Sequence, residues 1–222
     1  MNIELSTVEL QPSKEHRYSV IWLHGLGADG HDFEDIAREL HLDANAHIRF
    51  IFPNAPVQAI TVNHGMAMRA WYDLVSTHLE NRADINGIYL SASLVKQLIE
   101  REKQAGIAAE HILLAGFSQG GVIALHLGLR YPEKLAGIVA LSTYLPTLKQ
   151  LNTEASSVAK QLPIFMAHGI LDSIVEIEEG KSVYDSLHQQ GYNIQWHDYV
   201  MEHSVCIEEI EHLTHFLNHI FK

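Results

Sequence analysis

Six short β-type runs separated by segments of helical period constrain this chain more than any other feature. The runs lie at 20–23, 48–53, 112–116, 135–142, 163–168 and 193–200. Several are apolar throughout, as strands covered on both faces are; a strand with one wet face would alternate instead. The segments between them predict helices over 32–40, 89–105, 119–131, 176–190 and 205–221. In the second of these, Leu90, Leu94 and Leu98, with Ile99 beside them, fall on one stripe, as in a helix lying on a sheet. Strand and helix in alternation imply a mainly parallel, doubly wound α/β sheet with helices on both faces.

Length and charge narrow what such a sheet can serve. No linker or charge block divides the 222 residues, so residues 1–222 are expected to form a single domain. With 47% hydrophobic and 19% charged residues the composition is that of a globular chain. A net charge of -12 without a basic patch argues against nucleic acid and anionic membranes as partners. The first twenty residues lack the long apolar segment of a signal peptide or membrane span, and the one cysteine, Cys206, has no partner for an internal disulfide. A cytoplasmic location is the expectation.

The run at 112–116 ends on Gly116, and helical period resumes at Gln119 with no turn residues left over. Between them stands Ser118, in the G-x-S-x-G string Gly116 to Gly120. Flanking glycines remove the Cβ atoms that would collide at so sharp a strand-to-helix turn, and the turn lifts the serine hydroxyl above the sheet. A serine hydroxyl needs a base to become a nucleophile, and the base needs a group to orient it.

Position selects those partners from an abundance of candidates. Of sixteen histidines, His203 lies just beyond the last strand, where a loop at the carboxyl edge of the sheet would carry it. Asp172 follows the run at 163–168 and reaches the same edge, whereas Asp198 falls inside a strand and Glu202 adjoins His203 in sequence. The oxyanion requires backbone N–H donors, one from the residue after the nucleophile and one from an early strand-to-helix loop. Those positions are Gln119 and, in the glycine-rich loop after the first run, Leu26. That loop has neither the lysine of a P-loop nor G-x-G-x-x-G spacing, so it is not read as a phosphate cradle.

Four blocks, "HGLGADGHDF", "MRAWYDL", "AGFSQGGVIAL" and "HGILDSIV" with "MEHSV", together resemble the acyl-protein thioesterase and small carboxylesterase family of α/β hydrolases. The likeness runs through nearly the whole chain. It implies an α/β-hydrolase fold without a large cap domain, a nucleophile at Ser118, an acid at Asp172, a base at His203 and oxyanion donors at Leu26 and Gln119. The activity implied is hydrolysis of carboxylic esters or thioesters of short to medium acyl chains through an acyl-enzyme. Some members act on S-acylated proteins or lysophospholipids. No cofactor and no metal is implied, and a homodimer is an open assembly state. The chain departs from the family pattern at Ser173 and Glu176, where prolines are common, and at Glu202, where glycine usually precedes the histidine.

Other features carry two readings each. Trp71 and Tyr72 stand either at the site entrance as substrate-binding aromatics or in the core. His212, His215 and His219 share a helix face, without the H-E-x-x-H pattern of a zinc site, and are expected to face solvent. Cys206 is expected to be a buried thiol. Residues 74–90 form a long segment with a polar centre, expected to act as a flap over Ser118 whose Leu74, Val75, Leu79, Ile85 and Ile88 line an acyl groove. A non-catalytic binding protein on the same fold is the rival from another class.

Overall fold

The computed structural model describes residues 4–12, 14–76 and 82–222. Its strands are β1 Thr7–Leu10, β2 Tyr18–Leu23, β3 Ile48–Pro53, β4 Val57–Ile60, β5 Met66–Arg69, β6 Ile112–Phe117, β7 Gly137–Leu141, β8 Ile164–Gly169 and β9 Ile194–Tyr199. The helices are α1 Glu34–Glu39, α2 Ile85–Gln104, α3 Gln119–Gly128, α4 Leu151–Glu154, α5 Ile177–Gln189 and α6 Ile207–Ile220. All six expected runs become strands of one sheet, ordered β1-β3-β2-β6-β7-β8-β9. Every pairing in it is parallel except that of β1 with β3.

Period-two alternation along the strands feeds two cores. From β2, Ile21 and Leu23 join Leu94, Val95 and Leu98 of α2 and Val183 and Leu187 of α5 on one face. Val20 and Trp22 join Ala37 of α1 and Leu213 and Phe216 of α6 on the other. Helix α3 lies wholly buried against the sheet, which is why it shows almost no amphipathic face.

The chain runs from β2 outward to β3 and then returns to lay β6 on the other side of β2, so strand order reverses between β2 and β6. In an open parallel sheet, ligands bind outside the carboxyl ends of strands at such a reversal. Leu23 at the end of β2 pairs with Gly116 near the end of β6. The glycine-rich loop and the Ser118 turn therefore leave the sheet side by side.

Several elements differ from the sequence reading: α3 ends at Gly128 instead of residue 131, and the one-turn helix α4 has no counterpart in it. Strand β1 is a half-buried edge, and the β4–β5 hairpin is a short ribbon outside the main sheet with Val57 and Met66 exposed; neither has a long apolar run to announce it. Helix α2 begins at Ile85, not at residue 89. Gly87 lies in the first helical turn, where a Cβ would press on the Asp84 carboxylate and Tyr72.

Candidate active site

Ser118 occupies φ 53°, ψ -119°, a region that costs a non-glycine residue about 1–3 kcal/mol and persists only where the surroundings enforce it. They do so here. A Cβ on Gly116 would collide with the Gly120 carbonyl, and one on Gly120 with the Leu23 carbonyl, so the crossing of β6, α3 and β2 closes only with glycine at both places. The Ser118 N–H donates to the Leu141 carbonyl at 2.9 Å, and the Thr143 hydroxyl donates to the Ser118 carbonyl at 2.7 Å, fixing the turn from the β7 side.

His203 follows β9, and its ring packs on Phe117, the residue before the serine, with centroids 4.7 Å apart. Its Nδ1 lies 2.6 Å from Asp172 Oδ2. An ionised carboxylate can only accept, so Nδ1 carries the proton and Nε2 is left free to take one. The other oxygen of Asp172, Oδ1, accepts the N–H groups of Ile174 and Val175, both at 2.9 Å. One carboxylate thus closes its own loop and orients the imidazole. That turn forms with Ser173 and Glu176 where the family has prolines. Glu202 is exposed, whereas Asp198 accepts the Trp196 indole N–H within the β9 register.

Behind Asp172 lies His168, fully buried, with Nε2 2.8 Å from the Val175 carbonyl and 3.5 Å from Asp172 Oδ2. Burial lowers its pKa, against the raising effects of the Val175 carbonyl and Asp172, so a neutral ring faces the acid.

On the other flank, the built Cβ position of Gly25 lies 3.6 Å from Ser118 Cβ, so the glycine-rich loop runs directly beside the serine. Among the described residues nothing accepts from the N–H groups of Leu26 and Gln119. Gln119 is the first residue of α3, where such a free donor is expected. Trp71, expected either at the entrance or in the core, is 1% exposed and so sits in the core; its indole N–H donates to the His24 carbonyl and its backbone N–H to Gln119 Oε1. Tyr72 is buried as well.

The neck of the expected flap is a small antiparallel pairing: Leu74 bridges Ala83, and the Val75 N–H donates to the Arg82 carbonyl. Arg82 in turn donates to the Ile174 carbonyl at 2.8 Å, tying the neck to the acid loop. Leu74 is half-buried and Val75 is 46% exposed. Leu79 lies outside the described residues, Ile85 and Ile88 belong to α2, and Ile88 is fully buried in the core and so does not line a groove. His212, His215 and His219 are exposed, and no group of three or more metal-ligating side chains converges among the described residues. Cys206 is half-buried at the N-cap of α6.

A parallel sheet with a strained serine between a strand and a buried helix, and a carboxylate-bound imidazole packed on the residue before it, defines the α/β-hydrolase class of enzymes. Residues 6–221 match the phospholipase/carboxylesterase family, and the chain belongs to it. It is 42% identical over 175 residues to acyl-protein thioesterase 1 of Schizosaccharomyces pombe, covering 79% of this chain and 77% of that protein. Crystal structures of Arabidopsis thaliana SOBER1 (28% identity, TM-score 0.87) and Zea mays acyl-protein thioesterase 2 (27%, TM-score 0.86) superpose on it. The first covers 93% of this chain and 100% of its own, the second 98% and 99%. The chain is a hydrolase of carboxylic esters or thioesters. Among the described residues no helix is long and apolar enough to cross a membrane.

Proposed function

We propose that the chain is a thioesterase working on S-acylated proteins, with Ser118 as nucleophile, His203 as general base, Asp172 as its orienting acid, and the N–H groups of Leu26 and Gln119 as oxyanion donors. The observation that carries the assignment is the 2.6 Å Asp172–His203 hydrogen bond beside a serine held at φ 53°. His203 Nε2 takes the hydroxyl proton as Ser118 Oγ attacks the acyl carbon. The oxyanion forms between the two N–H donors. The C–S or C–O bond then breaks, and the leaving thiol or alcohol receives the proton from His203. Water, deprotonated by the same ring, attacks the acyl-serine and releases the carboxylic acid.

Support for an acyl ligand comes from the rim. Val75 on the flap neck and Ile170, Leu171 and Ile174 on the acid loop are all exposed, and Arg82 holds neck and loop together. Apolar side chains left uncovered beside a nucleophile suit an alkyl chain, each buried methylene contributing about 0.8 kcal/mol. The names of the relatives favour a protein thioester; a lysophospholipid is the other substrate this rim accommodates. A cytoplasmic setting and one catalytic domain over 1–222 complete the proposal. The test is a panel of S-acylated peptides, thioesters, esters and lysophospholipids of graded chain length, run with wild type and Ser118→Ala. Turnover fastest on acyl-peptides and lowered by ~10³-fold or more in the variant is the expected result. A preference for lysophospholipids would reassign the substrate, and activity near the wild-type rate in Ser118→Ala would overturn the mechanism.

A further inference from the structure

Two donors for one oxyanion come from loops far apart in sequence, Leu26 after β2 and Gln119 after β6, and something must hold them in register. Buried between them are His24 and Trp71, each 1% exposed, neither of which touches the reacting atoms. The Ala55 N–H reaches His24 Nε2 at 3.1 Å, and Nδ1 lies 2.7 Å from the Gly25 carbonyl. Because Ala55 N–H can only donate, Nε2 is the acceptor and Nδ1 carries the proton that goes to the Gly25 carbonyl. Burial lowers the His24 pKa, which keeps the ring in this neutral, one-donor, one-acceptor form.

A hydrogen bond to the Gly25 carbonyl sets the direction of the next N–H. The peptide is planar and trans, so the Leu26 N–H points opposite to the Gly25 C=O. With the carbonyl drawn to the imidazole, the N–H faces away from it, and no group among the described residues accepts from it. Trp71 completes the tie: its indole N–H holds the His24 carbonyl at 2.9 Å, its backbone N–H donates to Gln119 Oε1 at 3.0 Å, and Gln119 Nε2 donates to the Tyr72 carbonyl at 2.9 Å. The Trp71 carbonyl is itself held by the Ser91 hydroxyl.

We infer that His24 and Trp71 are positioning residues for the oxyanion hole: His24 turns the Gly25–Leu26 peptide so that its N–H faces the reacting carbonyl, and Trp71 locks that loop to the residue supplying the second donor. This rests on the oxyanion roles proposed above for Leu26 and Gln119.

The experiment compares His24→Gln, His24→Asn and Trp71→Phe. Gln places its terminal amide near the position of Nε2 and abandons the Gly25 carbonyl; Asn keeps an N–H near the position of Nδ1. Two readouts are taken: the kcat and KM split on a short acyl thioester, and the apparent pKa of the hemiketal that Ser118 forms with an alkyl trifluoromethyl ketone, followed by 19F NMR. That pKa reports how well the hole stabilises an oxyanion and is indifferent to a general loss of folded protein. His24→Gln is expected to lower kcat by ~10²-fold, the loss seen when an oxyanion donor is removed, with KM little changed and the hemiketal pKa raised. His24→Asn should recover most of both. Trp71→Phe, which keeps an aromatic though smaller side chain and removes the indole N–H, should raise the hemiketal pKa by a smaller step and lower kcat by about tenfold. An unchanged hemiketal pKa in His24→Gln, or in Trp71→Phe should the histidine variant not fold, would overturn the inference. Equal effects of Gln and Asn on that pKa would also overturn it. Failure of wild type to form the hemiketal at Ser118 would instead strike the proposed function beneath it.

Discussion

The two edges of the central sheet make opposite use of histidine. At the amino edge a cavity of about 700 Å³ is lined by His111, His197, His212, His215 and His219 along with Lys134. At the carboxyl edge lie His24, His168 and His203, the first two buried. Yet it is at the carboxyl edge that an imidazole both meets a carboxylate and packs on the residue before the strained serine. His212 at the other edge meets a tyrosine hydroxyl and another imidazole, and neither gives it a charge to stabilise. Cavity volume and histidine count therefore do not locate chemistry here; strand polarity does. Parallel strands deliver the N-terminus of α3, with its unpaired N–H groups, and the loops after β2, β8 and β9 to one edge only.

The sharpest way to break this contrast is to disable each edge in turn. Ser118→Ala should reduce kcat on a short acyl thioester by ~10³-fold or more, leaving the residual rate that oxyanion donors and binding supply. Replacing His212, His215 and His219 together by alanine should leave kcat/KM within about twofold, as expected for surface changes away from a site. A large loss in that triple variant would mean that the amino edge contributes to turnover.

A smaller but still large effect is expected at the acid. Asp172→Asn should lower kcat by ~10²-fold or more, because an asparagine amide can leave His203 in the wrong tautomer. Asp198→Asn, in the β9 register, should stay near wild type. Similar losses in both variants, measured side by side, would undo the assignment of Asp172.

At the rim the effect is selective rather than large. Leu74→Ala with Val75→Ala should lower kcat/KM for medium-chain substrates by about three- to tenfold and spare short ones, since lost methylene contacts cost about 0.8 kcal/mol each. Equal loss on both chain lengths with a lowered Tm would make these residues structural.

The smallest effect concerns α6, which spans both edges. Glu209 in its first turn is fully buried, and burial pushes its pKa from 4.5 up to about 8 against the opposing pull of the Cys206 backbone N–H. The folded state therefore binds a proton that the unfolded chain has released, so this contribution is complete below about pH 4.5 and is lost as pH rises through about pH 8. Glu209→Gln should flatten the decline of Tm over that window relative to wild type. Parallel curves for the two proteins would show that Glu209 does not titrate as a buried acid.

Much of this architecture is legible in the sequence because it rests on strong local signals. Apolar runs without alternation read as strands covered on both faces, and the six runs took their places, the mixed run at 193–200 as the partly exposed edge strand β9. Gly116 and Gly120 announce the crossing at Ser118, and Asp172 and His203 are reached by counting which loops leave the carboxyl edge. What escaped depends on contacts between distant segments. Strand β1 and the β4–β5 hairpin are four-residue pieces whose pairing is long-range or local to an exposed ribbon. Trp71 kept two readings, at the entrance or in the core, because its indole could be assigned a partner only once the His24 carbonyl was known to lie against it. His24 itself precedes the glycines of its loop, but nothing in "HGLG" tells that Ala55 supplies the N–H fixing its tautomer.

The central claim, that turnover passes through an acyl group on Ser118, is tested most directly by mass spectrometry of the protein after reaction with a fluorophosphonate and, separately, after rapid quench from a slowly hydrolysed acyl substrate. The account predicts a single adduct mapping to the peptide that contains Ser118, absent from Ser118→Ala and unaffected by Cys206→Ala. An adduct that maps to Cys206, or hydrolysis near the wild-type rate by a Ser118→Ala protein that carries no adduct, would contradict it.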